Sequence, residues 1–377
     1  MTTTSYWLEE EREVLPERRL AGRVDVAVVG AGVTGCACAL TLAESGLRVR
    51  VHEAREIAGG ASGRNGGFAL RGAAPPYDVA RRELGGERAR GLWALTERAL
   101  DKLESLAGDA FRRTGSLRLA ADLEEARELR SEFDALRADG FEVEWRGELA
   151  GPLRGRFVGA LFHPSDGSLQ PARWVRRLAR RAAEAGAELR EHSRVESVEA
   201  LDADQVVIAT DGYTHGLLES LDGAIRSVRG QVVVTEPLGR VLFPCPHYAR
   251  HGYDYWQQTP DRRLVVGGFR DRALEKEFTT EEATTPIVQA AIERFVKELL
   301  GTLPRIERRW AGIFGLTADL LPLAGRVPGH DRVWAACGYS GHGNVLGLAC
   351  GDLVANVIAG RPAPELELFD PARLLSS

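Results

Sequence analysis

The chain has 377 residues, 44% hydrophobic and 27% charged, with a formal net charge of −5 at pH 7. That length allows one large or two interlocked domains, and the acidic balance offers no basic surface for nucleic acid. Five cysteines, Cys36, Cys38, Cys245, Cys337 and Cys350, lack disulfide-framework spacing, which fits a reducing cytoplasm.

Residues 24–29 (VDVAVV) predict a buried parallel strand, 33–45 a helix and 47–52 a second strand. The uncharged run 26–43 mimics a membrane span, but Gly30, Gly32 and Gly35 cluster in it, and a strand-turn-helix accounts for it better. Cys36 and Cys38 then face apart on the helix as small packing residues. Residues 77–139 are charge-rich, with helical spacing of Leu92, Leu95, Ala99, Leu103 and Leu106. Pro171 to Gly186 reads as a helix with Pro near its start and Gly after its end. Strands follow at 205–209 and 230–236, and 253–257 with 263–269 reads as a hairpin around Pro260-Asp261. In 287–300, Ile287, Ala291, Ile292, Phe295, Val296 and Leu299 form a core-facing helical stripe. A strand at 332–336 and a helix at 344–359, ended by Gly360, close the chain.

Dinucleotide-type signals thus occur at the start, middle and end. They predict an α/β fold with a discontinuous, doubly wound Rossmann-like domain over 21–75, 155–225 and 310–377. An α+β substrate domain on a mostly antiparallel sheet, 76–154 and 226–309, is inserted in it. Residues 1–20 form an N-terminal extension.

The strongest motif is Gly30-Ala31-Gly32-Val33-Thr34-Gly35, between a strand and a helix, with Glu53 ending the next strand beside Ala54. Gly30 permits the tight turn, Gly32 the approach of a pyrophosphate, and Gly35 close helix–strand packing. The helix N-terminus offers free N–H groups to phosphate, and Glu53 can accept from ribose hydroxyls. The loop Gly59-Gly60-Ala61-Ser62-Gly63-Arg64-Asn65-Gly66-Gly67 selects FAD over NAD. Its many exposed N–H groups can wrap phosphate, ribitol and ring. The alternative for the loop alone is a flexible surface turn.

The chain resembles the D-amino-acid-oxidase-like superfamily of FAD oxidoreductases, most of all its gamma-glutamylputrescine oxidase-like branch. The matching stretches are Ser5-Tyr6-Trp7, 60–68 (GASGRNGGF), 167–189, 206–214 (VVIATDGYT), 229–238 (RGQVVVTEPL), 309–325 and 338–343 (GYSGHG). The resemblance implies that Val195 meets adenine through its backbone and that Thr210, Asp211 and Gly212 pass the pyrophosphate and ribose. Gly341, His342, Gly343, Asn344 and Val345 then open the last helix. Their N–H groups would face the flavin N1 and C2 carbonyl, where reduction places negative charge. His342 is either an aid to that charge or a neutral loop histidine.

The departures from the family pattern are as informative. Where some members tether flavin through cysteine, this chain has Gly312, so FAD is expected to be non-covalent. Leu264 to Phe269 contains no oxygen-activating lysine. By motif counting Arg71 takes the place of a carboxylate-binding arginine, while Val345 replaces its lysine partner. The competing reading of Arg71 is a surface arginine. Arg270 is a second candidate, alternatively ion-paired with Asp271 or a nearby acid. Tyr253, Tyr255 and Gln257 would share one strand face, walling the flavin or simply packing the sheet. No residue set has metal-ligand spacing, and His247 with His251 does not read as a helical pair.

The expected function is FAD-dependent oxidation of a small amine or amino acid. Hydride passes to flavin N5 and leaves an imine, with oxygen as the expected acceptor. A dehydrogenase serving a quinone or carrier protein, or a non-catalytic flavin sensor, stay open as alternatives, and so does the oligomeric state.

Overall fold

The computed structural model describes residues 4–12 and 14–375. Its first layer is a six-stranded sheet in the order Leu323–Arg326, Val333–Cys337, Ala203–Ile208, Val24–Val29, Val49–His52, Glu188–Arg190. All neighbours are parallel except the edge strand Leu323–Arg326. Covering on both faces explains the unbroken apolar runs. Strand alternation sends Val26, Val28 and Val207 to the helical side, and Val29, Val206 and Ile208 to the other. Helix Val33–Glu44 lies between Pro171–Ala185 and Gly343–Ile358 on the helical side. The chain leaves strand Val24–Val29 for one neighbour and later returns on its other side. The resulting crevice is the usual ligand position in such sheets.

The second layer is an eight-stranded sheet ordered Ile306–Leu316, Arg226–Pro237, Arg263–Gly268, Asp254–Gln258, His247–Ala249, Ser116–Ala120, Gly159–His163, Glu144–Arg146. Every pairing is antiparallel except His247–Ala249 with Ser116–Ala120. A three-stranded sheet of Phe68–Ala69, Gly167–Leu169 and Phe111–Arg112 links the layers. Gly159–His163 and most of Ile306–Leu316, which boundaries at 155 and 310 would leave with the cofactor segments, are hydrogen-bonded into the second sheet.

One face of this sheet buries Leu119, Val233, Trp256 and Val266 against helix Pro286–Leu300. The expected stripe on that helix needs correction: Ile287 is 49% exposed and Val288 is fully buried in its place. The helix starts at Pro286, so the buried row is Val288, Ile292, Val296 and Leu299. Tyr253 also departs from expectation. It ends a helical turn before the strand, leaving Tyr255 and Gln257 to share the strand face. Among the described residues no helix is long and apolar enough to cross a membrane.

Candidate active site

Gly30 sits in the crevice with φ 104°, and a side chain there would meet the carbonyl oxygen of Ala209 at 2.7 Å. A side chain on Gly35 would run into the Gly30 carbonyl. A Cβ on Gly32 would come within 2.7 Å of Ser62 Oγ, which accepts from the Val33 amide at 3.1 Å. These are the close approaches a phosphate-binding turn requires. Thr34 instead faces inward and donates to the Tyr339 hydroxyl at 2.9 Å. Glu53 accepts from the amides of Ala31 and Arg55, both at 2.8 Å, which fixes its carboxylate at the strand end beside Ala54.

The glycine loop is ordered by named bonds. Ala61–Gly63 forms one short helical turn. Asn65 donates to the carbonyls of Ala61 and Ser62 at 3.2 and 3.0 Å and accepts from Gly67 N at 2.8 Å. Its side-chain amide also meets that of Asn344, whose Nδ2 donates to the Phe68 carbonyl at 2.7 Å. The loop is thereby tied to the start of helix Gly343–Ile358, whose first-turn amides lack intrahelical acceptors. Arg64 donates through Nε to the Gly59 carbonyl at 2.8 Å. Gln257 Nε2 donates to the carbonyls of Gly66 and Gly67 at 2.6 and 2.8 Å.

His342 precedes that helix, and its Nδ1 is buried without a hydrogen-bond partner. Burial pushes the imidazole down to about 4, so it stays neutral at ordinary pH. Gly341 is exposed beside it, and Val345 is 1% exposed in the core. Asp211 has φ 48°, and its carboxylate is engaged by backbone amides. It accepts from the amides of Gly315 at 2.9 Å, Gly338 at 2.8 Å and Tyr339 at 3.2 Å. Burial raises its carboxyl, against the pull of those bonds. Thr210 bonds Thr214 at 2.8 Å, and Gly212 has no room for a side chain beside the Phe314 backbone. Val195 is half-buried against the apolar cluster on the far side of the parallel sheet, which includes Val29 and Ile208.

Two of the expected alternatives are corrected. Arg71 is no surface arginine: it is buried, with Nη1 on Glu97 at 2.7 Å. Its Nη2 donates to the Glu142 carbonyl at 3.0 Å and meets His163 Nδ1 at 3.3 Å. Only Nε lacks a partner. Arg270 does not pair with Asp271, which is held by Arg250 at 3.0 and 3.2 Å and lies 3.7 Å from Arg272.

Sheet pairing sets Gly312 opposite Gly230, Val232 opposite Gly267, and Gly267 opposite Tyr255. Directly paired residues share a face. Three glycines therefore share the face of Tyr255, whose ring covers Gly267 and Gly66 and packs on Phe68, leaving room only over Gly230. A Cβ on Gly230 would lie 3.8 Å from both Phe314 Cε1 and the Tyr255 hydroxyl, so these two rings wall the open space. At Gly312 a Cβ would come 2.9 Å from Arg64 Cβ.

The model of the family described as FAD dependent oxidoreductase (DAO) matches residues 25–357. The chain belongs to this family. It is 29% identical to the gamma-glutamylputrescine oxidoreductase of Escherichia coli, over 98% of this chain and 91% of that protein. It is 27% identical to glycine oxidase of Bacillus licheniformis, over 90% and 94%. The crystal structure of glycine oxidase from Geobacillus kaustophilus superposes with a TM-score of 0.77 at 24% identity, covering 95% of this chain and 99% of that one. The protein is thus an FAD-dependent enzyme acting on amines, and the cramped turn at Gly32, the tied glycine loop and the orphaned His342 Nδ1 fit that cofactor.

Sequence reasoning missed Trp7, which is 3% exposed and donates from Nε1 to the Asn65 carbonyl at 2.8 Å. It also missed Tyr248, paired with Tyr255 and with Arg118 across adjacent strands. Ser5-Tyr6-Trp7 was a matching stretch that could have drawn attention to the first; nothing local marked the second.

Proposed function

We propose that this enzyme oxidises the C–N bond of a small amine or amino acid to an imine, with oxygen as acceptor and hydrogen peroxide as product. The observation that carries the reading is the space over Gly230 between the rings of Tyr255 and Phe314, with Tyr255 packed on the loop Gly66–Phe68. Bound FAD supplies the hydride acceptor, at N5. The chain's own part is to position the substrate between the two rings and to keep water out. No charged base is needed there, because the reacting amine is neutral, and His342 is neutral as well.

We assign FAD contacts to the Gly30–Gly35 turn, Glu53, the loop 61–67, Val195, Thr210 and residues 341–345. Gly312 and the five buried free cysteines support a non-covalent cofactor. The same cysteines support a cytoplasmic location. The parallel sheet is read as the cofactor layer and the eight-stranded sheet as the substrate layer. Oxygen as acceptor is supported by the similarity to glycine oxidase, while the lack of lysine in Leu264–Phe269 favours a dehydrogenase. Anaerobic addition of amines and amino acids should bleach the flavin, and stopped-flow mixing with oxygen should restore it. Bleaching followed by slow reoxidation would replace oxygen with a quinone or carrier; no bleaching by any amine would overturn the reading.

A further inference from the structure

Residues 278–285 join two helices of the eight-stranded layer, Leu274–Glu277 and Pro286–Leu300. Both ends of this strap are pinned to strand Arg226–Pro237. Glu277, fully buried, accepts from Arg229 Nε at 2.8 Å and from Gln231 Nε2 at 3.0 Å. Thr285 donates its amide to Gln231 Oε1 at 2.8 Å, and Arg229 Nη1 donates to the Glu281 carbonyl at 3.2 Å. Between these anchors none of the residues 278–285 is buried, so apolar packing does little to hold the middle of the strap.

Glu282 crosses from the strap to the other layer, and its side chain is only 9% exposed. Arg55 Nη1 donates to its two oxygens at 2.7 and 2.9 Å, the Tyr213 hydroxyl donates to Oε1, and Arg64 Nη2 lies 3.6 Å from Oε2. These partners come from three separate segments. Arg55 follows strand Val49–His52, Tyr213 follows strand Ala203–Ile208, and Arg64 belongs to the glycine loop. The two strands flank Val24–Val29 on either side, so one carboxylate ties together both sides of the crevice that holds the Gly30–Gly35 turn. The cluster is compact. Arg55 lies over the Tyr213 ring, 5.0 Å from its centroid, and a Cβ on Gly60 would come within 3.3 Å of that ring. Burial, and then Glu282, raise the Tyr213 phenol, so its hydroxyl keeps its proton and remains a donor.

We infer that Glu282 is a latch: it closes the strap over the crevice, and FAD enters or leaves only when its bonds to Arg55, Arg64 and Tyr213 part. This rests on the assignment of FAD to the Gly30–Gly35 turn, Glu53 and the loop 61–67. Charge-assisted hydrogen bonds are about twice as strong as neutral ones, and a mostly enclosed carboxylate is screened little by salt. The strap is otherwise solvated and fixed only at its ends, so this cluster sets the cost of lifting it. The bonds are made within the chain, so they stand on both sides of the binding equilibrium. Glu282 therefore governs how fast FAD passes far more than how tightly it binds.

The test measures two quantities by flavin fluorescence: the rate at which the FAD-loaded enzyme releases FAD on dilution, and the FAD dissociation constant at equilibrium. Glu282→Gln keeps the shape and removes the charge. It should release FAD about tenfold faster or more, while the dissociation constant moves less than about 3-fold. Glu282→Ala should release it at least as fast. Glu281→Gln, at an exposed neighbour 3.7 Å from Arg229, should keep the wild-type rate. Should Glu282→Ala fail to fold, Glu282→Gln and Tyr213→Phe each part a share of the cluster and carry the same comparison. The inference is overturned if Glu282→Gln releases FAD at the wild-type rate. It is overturned as well if the dissociation constant rises in step with the release rate, which would make Glu282 an ordinary support of the site. A dissociation constant that falls would also overturn it, because Glu282 would then compete with phosphate for the two arginines. If Gly32→Val keeps stoichiometric FAD, the placement of the cofactor fails and the latch with it. If Gly32→Val sheds FAD but Glu282→Gln releases it no faster than the wild type, the latch alone fails.

Discussion

Asp211 is the joint on which three segments of the site meet, and replacing it should loosen all of them. Its carboxylate takes the amides of Gly315, Gly338 and Tyr339, at 2.8 to 3.2 Å, joining the long strand of the second sheet to the loop before the last helix. Asp211→Ala leaves three enclosed donors without an acceptor. At about 1–3 kcal/mol for each buried unsatisfied group, the sum is roughly 3–9 kcal/mol, a large part of the 5–15 kcal/mol that typically separates folded from unfolded chains. Asp211→Asn is milder. One oxygen can still serve Gly338 and Tyr339, but the new NH2 faces the Gly315 N–H, donor against donor, for a loss of about 1.5–3 kcal/mol. The assay is paired: urea midpoints of the FAD-free proteins, and FAD dissociation constants followed by flavin fluorescence. Asp211→Asn should lower the midpoint and weaken FAD about tenfold, one decade per 1.4 kcal/mol of loop disorder passed to the cofactor. Burial raises this carboxyl against the pull of the amides, so the folded state holds its proton more tightly than the unfolded chain does, and this group's contribution to stability falls as pH rises through the raised value. An Asp211→Ala protein with an unchanged urea midpoint and full FAD occupancy would refute the reasoning.

Gly32→Val should abolish FAD retention, since its side chain would enter the space next to Ser62 Oγ where phosphate must approach; a folded variant with stoichiometric flavin would show that the phosphate lies elsewhere. Trp7→Ala should cost about 3–5 kcal/mol as a buried large-to-small change and speed FAD release, because the Asn65 carbonyl loses its donor; unchanged urea midpoint and release rate would exclude that bracing role. Acid precipitation should leave the yellow colour in the supernatant, and colour in the pellet would disprove non-covalent binding. Asp166 is pushed up to about 6 by burial, against the opposing pull of Arg71 and of its bonds to Ser116 and the Arg71 amide. The folded state then holds its proton more tightly, so this group's contribution to stability falls as pH rises from about 4 to about 6, by at most about 3 kcal/mol. Buried His163, held well below its usual value, gives the opposite slope, so the wild-type minus Asp166→Asn difference in urea midpoint isolates the effect; a pH-independent difference would refute it.

Much of the cofactor side was legible because its determinants are local. A strand, a turn needing positive φ, a helix start and an acid at the next strand end all lie within 24–53, and each leaves its own residue type in the chain. Strands at 205–209, 230–236, 253–257, 263–269 and 332–336 were likewise visible, whereas Ser116–Ala120, Glu144–Arg146, Gly159–His163, His247–Ala249 and Ile306–Leu316 of the second sheet were not read from the sequence. The error at Ile287 arose because a stripe read without its start is free to slip by one residue. Once Pro286 opens the helix, Val288 takes the inward position. Tyr253 was misplaced for a similar reason: the turn Arg250–Gly252, with His251 at φ 56°, ends the irregular segment one residue later than alternation suggested.

The substrate side was hidden because its geometry depends on register. Gly230, Gly267, Gly312 and Tyr255 come from four strands scattered between residues 226 and 316, and nothing near any one of them announces the other three. Tyr248 and Arg118 are farther apart still, on the sheet's one parallel pairing. Motif counting pointed to Arg71 because it tracks distance along the chain. The fold then buries that arginine under Glu97, Glu142 and His163. Charge balance, which only the folded chain reveals, points the other way. Asp254, Asp271 and Glu277 already have their partners, and among the described residues Arg270 is left with only the rings of Tyr253 and Phe314.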